Sequence, residues 1–362
     1  MSILELRSPA VCVDLDIFKA NCREIRRQAD ASNKKIRAHF KAHRSLYLAS
    51  IQKELCADGF VAAKLAEAET LVNAGFNDIL IAYPLYGKEK WERYSELNKR
   101  AKLMTTVDSL EIAKGLSEYS GEETPANVLI ELDVGTHRCG TTLEKLPELA
   151  CELLKLPGIN VCGIFSYNAT LYTVKTNEER AALAMKEQEA VREAKKILSD
   201  YGIDNPYVSS GNSPATVVMD SYTEATEIRV GNRFFNDVCA METNLSKESD
   251  CALTIHTTVV SLPEPGHATI DAGSKTFTTD PSKFGPNAGY VLSPRGITFT
   301  RVNEEHGYLT FDPNEVELKI GDEVIIIPNH ACVIHNITDF GFAMEDGELV
   351  QKYPVDARGL SY

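Results

Sequence analysis

Apolar residues in the first two thirds of the chain switch repeatedly between two spacings. Residues 9–14 form a short strand-like run. From Leu15 to Ala31 the apolar positions Leu15, Phe18, Cys22 and Ile25 recur at helical spacing. Compact runs then follow at Ile36–Phe40, Phe60–Ala63, Asp78–Ala82, Lys102–Val107, Asn127–Val134, Asn160–Tyr167, Tyr207–Ser210 and Thr226–Val230. Between them lie helix-like segments at Leu46–Cys56, Ala66–Ala74, Lys88–Asn98, Leu110–Leu116, Leu143–Leu154 and Glu178–Ser199, and a short one from Pro214. Alternation of this kind implies parallel strands with helices outside. Eight is the number at which such a sheet closes into a (β/α)8, TIM-type barrel. An open doubly wound sheet is the competing architecture.

After about Asn244 the texture changes. Thr254–Ser261, His267–Asp271, Ile297–Arg301, Glu305–Thr310 and Glu323–Ile327 are short, strand-like and punctuated by Gly and Pro. The expected division is an α/β barrel over residues 15–244 and a mostly β domain made of residues 1–14 and 245–362.

Composition narrows the partners. The chain has 362 residues, with 43% hydrophobic and 25% charged, and a formal net charge of -14. That balance argues against nucleic acid as the main partner but allows a local basic pocket for a small anion. The nine cysteines contain no C-x-x-C pair. The first residues lack a signal peptide's apolar core and no run approaches a membrane span, so we expect a cytoplasmic protein with reduced thiols and no membrane partner.

In a barrel of this type the reactive groups sit at the C-terminal ends of the strands. The first strand delivers Arg37-Ala38-His39-Phe40-Lys41-Ala42-His43-Arg44. A lysine amine attacks a carbonyl only when neutral, and cationic neighbours with partial desolvation push it toward that state. A solvated basic loop is the plainer reading of this segment alone. The seventh and eighth strands deliver Ser210-Gly211-Asn212-Ser213-Pro214 and Gly231-Asn232. Loops after these two strands are the usual phosphate site of the architecture. Ser213 suits a helix cap and Pro214 the first helical position, and small residues expose backbone N–H groups to an anion. The fifth strand leads to Arg138 between two glycines, which also reads as a surface ion pair. The sixth leads to Tyr167, which also reads as core packing.

The β region carries His330-Ala331-Cys332. If extended, the two side chains point to one face, and an imidazole with a thiolate suits Zn2+. Two protein ligands leave positions open for substrate. A buried cysteine beside a satisfied histidine is the plainer alternative. His335 is a spare ligand candidate, and His306 either orients a site group or caps a turn.

Together these segments resemble the D-threonine aldolase and D-serine dehydratase family, within the alanine racemase-like, fold-type III pyridoxal phosphate enzymes. The family's lysine segment, roughly R-P-H-x-K-T-H-K, reads here as Arg37-Ala38-His39-Phe40-Lys41-Ala42-His43-Arg44. Its D-V-G-x-x-R-C-G is intact from Asp133 to Gly140, its D-A-G-x-K from Asp271 to Lys275, and its E-E-H-G from Glu304 to Gly307. The metal motif is H-x-D in the aldolases and H-x-C in the dehydratases, as at His330 and Cys332. Two positions depart from the pattern. Ala169-Thr170 stands where aldolases carry Gly-His, and Arg233 stands where a tyrosine is frequent. The first weakens the aldolase case; the second hints at a substrate with a second carboxylate.

The resemblance implies pyridoxal phosphate on Lys41 as a Schiff base, with His39, Arg138, Tyr167, Ser210, Gly211, Asn212, Ser213, Gly231 and Asn232 around it. Arg138 is expected to face the pyridine nitrogen. Lys41, Tyr167 and His306 are the candidate catalytic residues. Zn2+ or another divalent metal on His330 and Cys332 would act on a β-hydroxyl. The expected reaction is β-elimination of water from a D-β-hydroxy amino acid to a 2-oxo acid and ammonia. Retro-aldol cleavage to glycine and an aldehyde is the alternative. An amino-acid racemase and a non-catalytic cofactor carrier remain as rivals. The family also implies a homodimer.

Overall fold

The computed structural model describes residues 7–282 and 285–362. The first six residues, part of the stretch read above for the lack of a leader, lie outside it. By Cα proximity the chain forms two compact units. Among the described residues, one comprises Glu24–Lys41, Gln52–Gly231 and Leu360–Tyr362; the other comprises 7–23, Ala42–Ile51, 232–282 and 285–359.

The first unit holds a closed barrel of eight parallel strands. In chain order these are β2 (Lys35–His39), β3 (Gly59–Ala62), β4 (Asp78–Pro84), β5 (Lys102–Val107), β6 (Ala126–Leu132), β7 (Ile159–Ser166), β8 (Tyr207–Ser210) and β9 (Glu227–Val230). Closure comes from parallel pairing of β2 with β9, Lys35 opposite Glu227 and Ala38 opposite Val230. An open sheet would leave those two strands as edges, so the doubly wound alternative is excluded. Ile79, Leu80, Ile81, Val128, Leu129, Ile130 and Val208 are all buried, as expected for parallel strands covered on both faces. Packing is tight where β7 meets β8. A Cβ at Gly163 would lie 1.8 Å from the Tyr207 carbonyl oxygen, so only glycine fits.

Helices follow the strands where the apolar spacing placed them, at Leu46–Leu55, Leu65–Asn73, Lys88–Asn98, Leu110–Ser120, Leu146–Leu153 and Asn177–Asp200. The last starts with a reciprocal cap. The Thr176 hydroxyl accepts the Glu179 N–H at 3.2 Å, and the Glu179 carboxylate accepts the Thr176 N–H at 3.1 Å. The segment from Pro214 is a 3-10 helix, Ser213–Ser221.

The second unit is built on a nine-stranded sheet. Its strands are β1 (Ala10–Asp14), β10 (Leu253–Ser261), β11 (His267–Ile270), β12 (Gly289–Ser293), β13 (Ile297–Val302), β14 (Gly307–Phe311), β15 (Glu323–Pro328), β16 (Phe340–Glu345) and β17 (Glu348–Pro354). The N-terminal β1 sits between β10 and β16. Sequence spacing missed β12, β16 and β17. β12 has a glycine start and a bulge, and β17 is mostly solvated, so neither carries a clear period-two signal. Among the described residues no helix is long and apolar enough to cross a membrane.

Candidate active site

Lys41 lies in a one-turn 3-10 helix, Phe40–Ala42, immediately beyond the C-terminal end of β2, and is exposed. Two residues earlier, His39 has its Nδ1 buried without a hydrogen-bond partner. Burial, then the positive charges of Lys41 and Arg229, drive its imidazole well below the usual histidine range, so it is neutral. Arg37 was a candidate for the field around Lys41. It is instead committed to the barrel's N-terminal end, with Nε 2.8 Å from Glu227 and Nη1 2.8 Å from Asp78. Residues 37 and 39 share a face of β2, but they occupy different depths of the barrel.

The loop after β6 is laced to the loop after β7. The Thr136 hydroxyl donates to the Tyr167 carbonyl at 2.9 Å and accepts the Ala169 N–H at 3.2 Å. Asp133 braces the loop by accepting the Gly135 and His137 N–H groups. Arg138 is thereby held over the Tyr167 ring, 4.3 Å from its centroid, with Nη2 3.7 Å from Glu131. Tyr167 is half-buried against Leu80, Met104, Leu129 and Phe165, so its packing role is real and its outer face belongs to the arginine.

The β8 turn is closely packed around Gly211. Gly211 has φ +72°, and a Cβ there would press on Ala215 and Ile228 at 3.0–3.1 Å. Its N–H faces Glu187 rather than outward. Asn212 precedes the 3-10 helix, donates to the Asn168 carbonyl at 2.8 Å, and keeps a buried Oδ1 without a partner. The Ser213 hydroxyl accepts the Gly231 N–H at 3.1 Å, joining the two turns. Ser210 turns inward, 2.7 Å from the Ser166 hydroxyl.

Two buried charges beneath these turns were not singled out from sequence, although Glu227 and Arg229 alternate in a buried strand. Arg229 donates to the Ser209 hydroxyl at 2.9 Å and the Ser166 carbonyl at 2.5 Å, with its guanidinium over Phe165. Burial pulls it down to about 10, while Glu227, Glu187 and Glu131 hold it charged. Glu187 reaches in from the helix Asn177–Asp200 and is fully buried.

In the other unit, His330 and Cys332 are brought together, but not by strand alternation. β15 ends at Pro328, His330 caps a one-turn helix, Ala331–Ile334, and Cys332 lies inside that turn. The two side chains hydrogen-bond. Asp237, buried and unforeseen, fixes the arrangement. Its Oδ2 lies 3.2 Å from His330 Nδ1, accepts the Ala331 N–H at 3.0 Å and accepts Asn232 Nδ2 at 3.2 Å. Its Oδ1 caps a short helix at Ala240 N. Burial opposes charge on His330, but Cys332 and Asp237 outweigh it and push the imidazole up to about 11. Among the described residues no cluster of three or more His, Cys, Asp or Glu side chains forms a metal cage. Asp237 is saturated by its donors, which leaves a two-residue donor pair.

His335 is not a spare ligand. It is fully buried, with Nε2 2.8 Å from the Tyr353 hydroxyl, because the helical turn after Cys332 rotates it into the interior. His306 lies in the exposed β13–β14 turn, where its carbonyl accepts the Asn303 N–H at 2.8 Å. Its side chain has no hydrogen-bond partner among the described residues. Asn232 binds Asp237 through its side chain rather than facing outward.

Comparison with known proteins places this geometry. A family model described as "Alanine racemase, N-terminal domain" matches residues 13–236, and one described as "Putative serine dehydratase domain" matches residues 252–343. The chain is 30% identical to a D-threonine aldolase of Arthrobacter sp, covering 98% of this chain and 93% of that one. It is 29% identical to a D-threo-3-hydroxyaspartate dehydratase of Delftia sp. (strain HT23), covering 91% and 92%. A solved cysteine-to-alanine variant of D-threo-3-hydroxyaspartate dehydratase, in a metal-free form, superposes with a TM-score of 0.91 at 26% identity over 98% of each chain. With a closed barrel ending in Lys41, a β unit carrying His330 and Cys332, and relatives spanning nearly its whole length, the chain belongs to the alanine racemase-like family of the D-threonine aldolases and D-serine dehydratases.

Proposed function

We propose that the chain is a pyridoxal phosphate- and divalent metal-dependent lyase of a D-β-hydroxy amino acid, most readily a dehydratase. The observation that carries this reading is the His330–Cys332 pair with Nδ1 of His330 committed to Asp237. A carboxylate on one imidazole nitrogen fixes the ring, and a metal would displace the proton from the other, the usual second-layer support of a zinc histidine. The pair is soft to borderline and fits zinc.

The barrel residues fit the cofactor as well. His39 Nδ1 and Asn212 Oδ1 are buried polar atoms awaiting partners. A Cβ at Gly231 would sit 3.7 Å from His39 Cβ and 3.9 Å from the Ser213 hydroxyl, so glycine keeps that wall of the turn open. We assign the cofactor to residues 15–244 and the metal pair to residues 245–362.

When bound, pyridoxal phosphate draws electrons from the substrate's α-carbon, and a metal on His330 and Cys332 weakens the bond to the β-hydroxyl. Lys41 carries the amine that holds the cofactor and then takes the α-proton. Arg138, fixed over Tyr167, brings a permanent cation that disfavours a proton on the pyridine nitrogen. Neutral His39 packs at that level without adding charge. The Ser210–Ser213 and Gly231–Asn232 turns receive the phosphate, Ser210 and Gly211 by shaping the turn and Asn212 and Ser213 by lining it. We keep Tyr167 and the exposed His306 as candidate catalytic groups.

Aldol cleavage is the second reading, favoured by the 30% identity to a D-threonine aldolase. Incubation with D-serine and D-3-hydroxyaspartate, with and without chelator, tests both. Pyruvate or oxaloacetate with ammonia marks dehydration; glycine with an aldehyde marks cleavage. Turnover of neither these nor D-threonine, or turnover indifferent to His330→Ala, refutes the metal lyase and favours a racemase or cofactor carrier. Borohydride trapping should label Lys41. A cytoplasmic homodimer is the assembly the family leads us to expect, and sedimentation tests it.

A further inference from the structure

Glu187 is a carboxyl placed where an anion site should not want one. It is 1% exposed, and its contacts converge on the β8 turn. The Ser166 hydroxyl donates to its Oε1 at 2.6 Å, the Tyr222 hydroxyl donates to its Oε2 at 3.2 Å, and the Gly211 backbone N–H also faces it. Ser166 in turn touches Ser210 at 2.7 Å, and Gln188 Nε2 donates to Ser210 at 3.4 Å. The carboxyl therefore holds the first two residues of the turn from beneath. Gly211 adopts its positive φ without steric cost, so what the carboxyl fixes is the direction of its N–H.

The groups that face Glu187 come from each element packed on it. They are Ser166 on β7, Ser210 on β8, Arg229 on β9 and Tyr222 after the 3-10 helix, with Tyr172 acting on Tyr222. Arg229 is the one cation among them, and it is shared with Glu227 and Glu131. Burial is the largest influence and pushes the Glu187 carboxyl up. Ser166, Arg229, Tyr222 and Gly211 pull it back. A phosphate over the turn adds negative potential from above.

We propose that Glu187 is the positioning residue of the anion turn, and that phosphate binding there is accompanied by one proton taken from solvent onto its carboxyl. The inference rests on reading this turn as the cofactor's phosphate site. It follows that phosphate affinity falls as pH rises through the titration of Glu187. Glutamine keeps the shape of the neutral acid and cannot ionise, so Glu187→Gln should retain affinity at high pH.

The test measures pyridoxal phosphate dissociation constants by absorbance for the wild type and Glu187→Gln between about pH 5 and about pH 9, a range wide enough for a buried carboxyl. Titrations of the cofactor and of Lys41 are common to both proteins and cancel in the ratio. The ratio of wild-type to variant constants should climb several-fold with pH, and stay flat with pyridoxal, which lacks the phosphate. Tyr222→Phe removes a donor that favours the ionised carboxyl, so its fall in affinity should move to higher pH; this variant decides the matter if Glu187→Gln fails to fold. A flat ratio, or the same slope with pyridoxal, overturns the coupling while leaving the cofactor site intact. Borohydride labelling away from Lys41 overturns the cofactor site itself, and the coupling with it.

Discussion

The two ends of the barrel use similar residues for opposite purposes. At the N-terminal end, Arg37 binds Glu227 and Asp78, Lys102 adds a contact to Asp78 at 3.0 Å, and Glu227 also accepts hydrogen bonds from Tyr207 and, at 2.6 Å, Ser209. At the C-terminal end, two residues further along the same strand, His39 Nδ1 is buried without a partner, and Asn212 Oδ1 repeats the pattern in the turn after β8, two strands away. Buried polar groups are usually paired, so each of these atoms has capacity for a further partner. The closed end holds the fold together; the open end is shaped for something the chain does not itself provide.

The largest effect that would sharpen this contrast is at Lys41. Lys41→Ala should lower kcat on the D-β-hydroxy substrate by about 10^2–10^4-fold, the scale of a lost proton-transfer group. Its thermal midpoint without cofactor should match the wild type, because the exposed side chain is not part of the core. Steady-state kinetics and a melting curve check both halves. A variant that unfolds would mean the open end is also structural.

The converse experiment is at the closed end. Arg37→Met leaves Glu227 and Asp78 without their shared cation, and breaking a buried pair of this kind costs about 3–5 kcal/mol. Urea unfolding should record that loss, while activity per folded molecule is kept. Lost turnover with unchanged stability would reverse the roles of the two ends.

How much of this contrast was legible beforehand follows from the kind of signal each part leaves. The barrel was readable because parallel strands buried on both faces, such as Val128–Leu132, stand out from the amphipathic helices between them. The β8 turn was readable through Gly211, but the cap was misplaced by one residue: Asn212 precedes the 3-10 helix, and Ser213 and Pro214 are its first two residues. The direction of Arg37 was not, since alternation gives a face but not a depth. The His330–Cys332 pair was found for a wrong reason: the residues meet through a helical turn that four residues are too few to announce. Asp237 and Glu187 were invisible, because a carboxylate is chosen by partners 93 and 21 residues away in sequence. Arg138 was placed by resemblance; its seat over Tyr167 needed coordinates.

Within the β unit the same contrast separates two histidines five positions apart. His330 is half-buried and held by Asp237 and Cys332; His335 is fully buried, bonded through Nε2 to Tyr353 with its Nδ1 unpartnered. Asp237→Asn should weaken metal binding by about 10–100-fold, the usual cost of losing the outer partner of a metal histidine, while cofactor binding is kept. Metal content after dialysis against graded chelator reads this directly. An unchanged metal affinity would make Asp237 only the cap of the helix Val238–Glu242.

His335 gives the smallest effect and the clearest sign. Burial, followed by the charge of His43, lowers its imidazole to about 3, whereas in an unfolded chain it titrates near the ordinary value of about 6.5. Above that value neither state holds the proton and pH does nothing. As pH falls below it, the unfolded chain takes up a proton that the folded chain refuses. Stability is therefore lost on acidification, by about 1.4 kcal/mol per pH unit for this one group. His39 is also held neutral by burial and contributes in the same direction, so the two add. His335→Asn should remove one proton's share of that slope between about pH 6.5 and pH 5 in urea titrations. It should also cost stability at neutral pH, since the Tyr353 hydroxyl loses its partner at 2.8 Å. A slope unchanged by the substitution would mean that the proton is taken up elsewhere. The interior of the β unit would then be more open to charge than the one around Arg37.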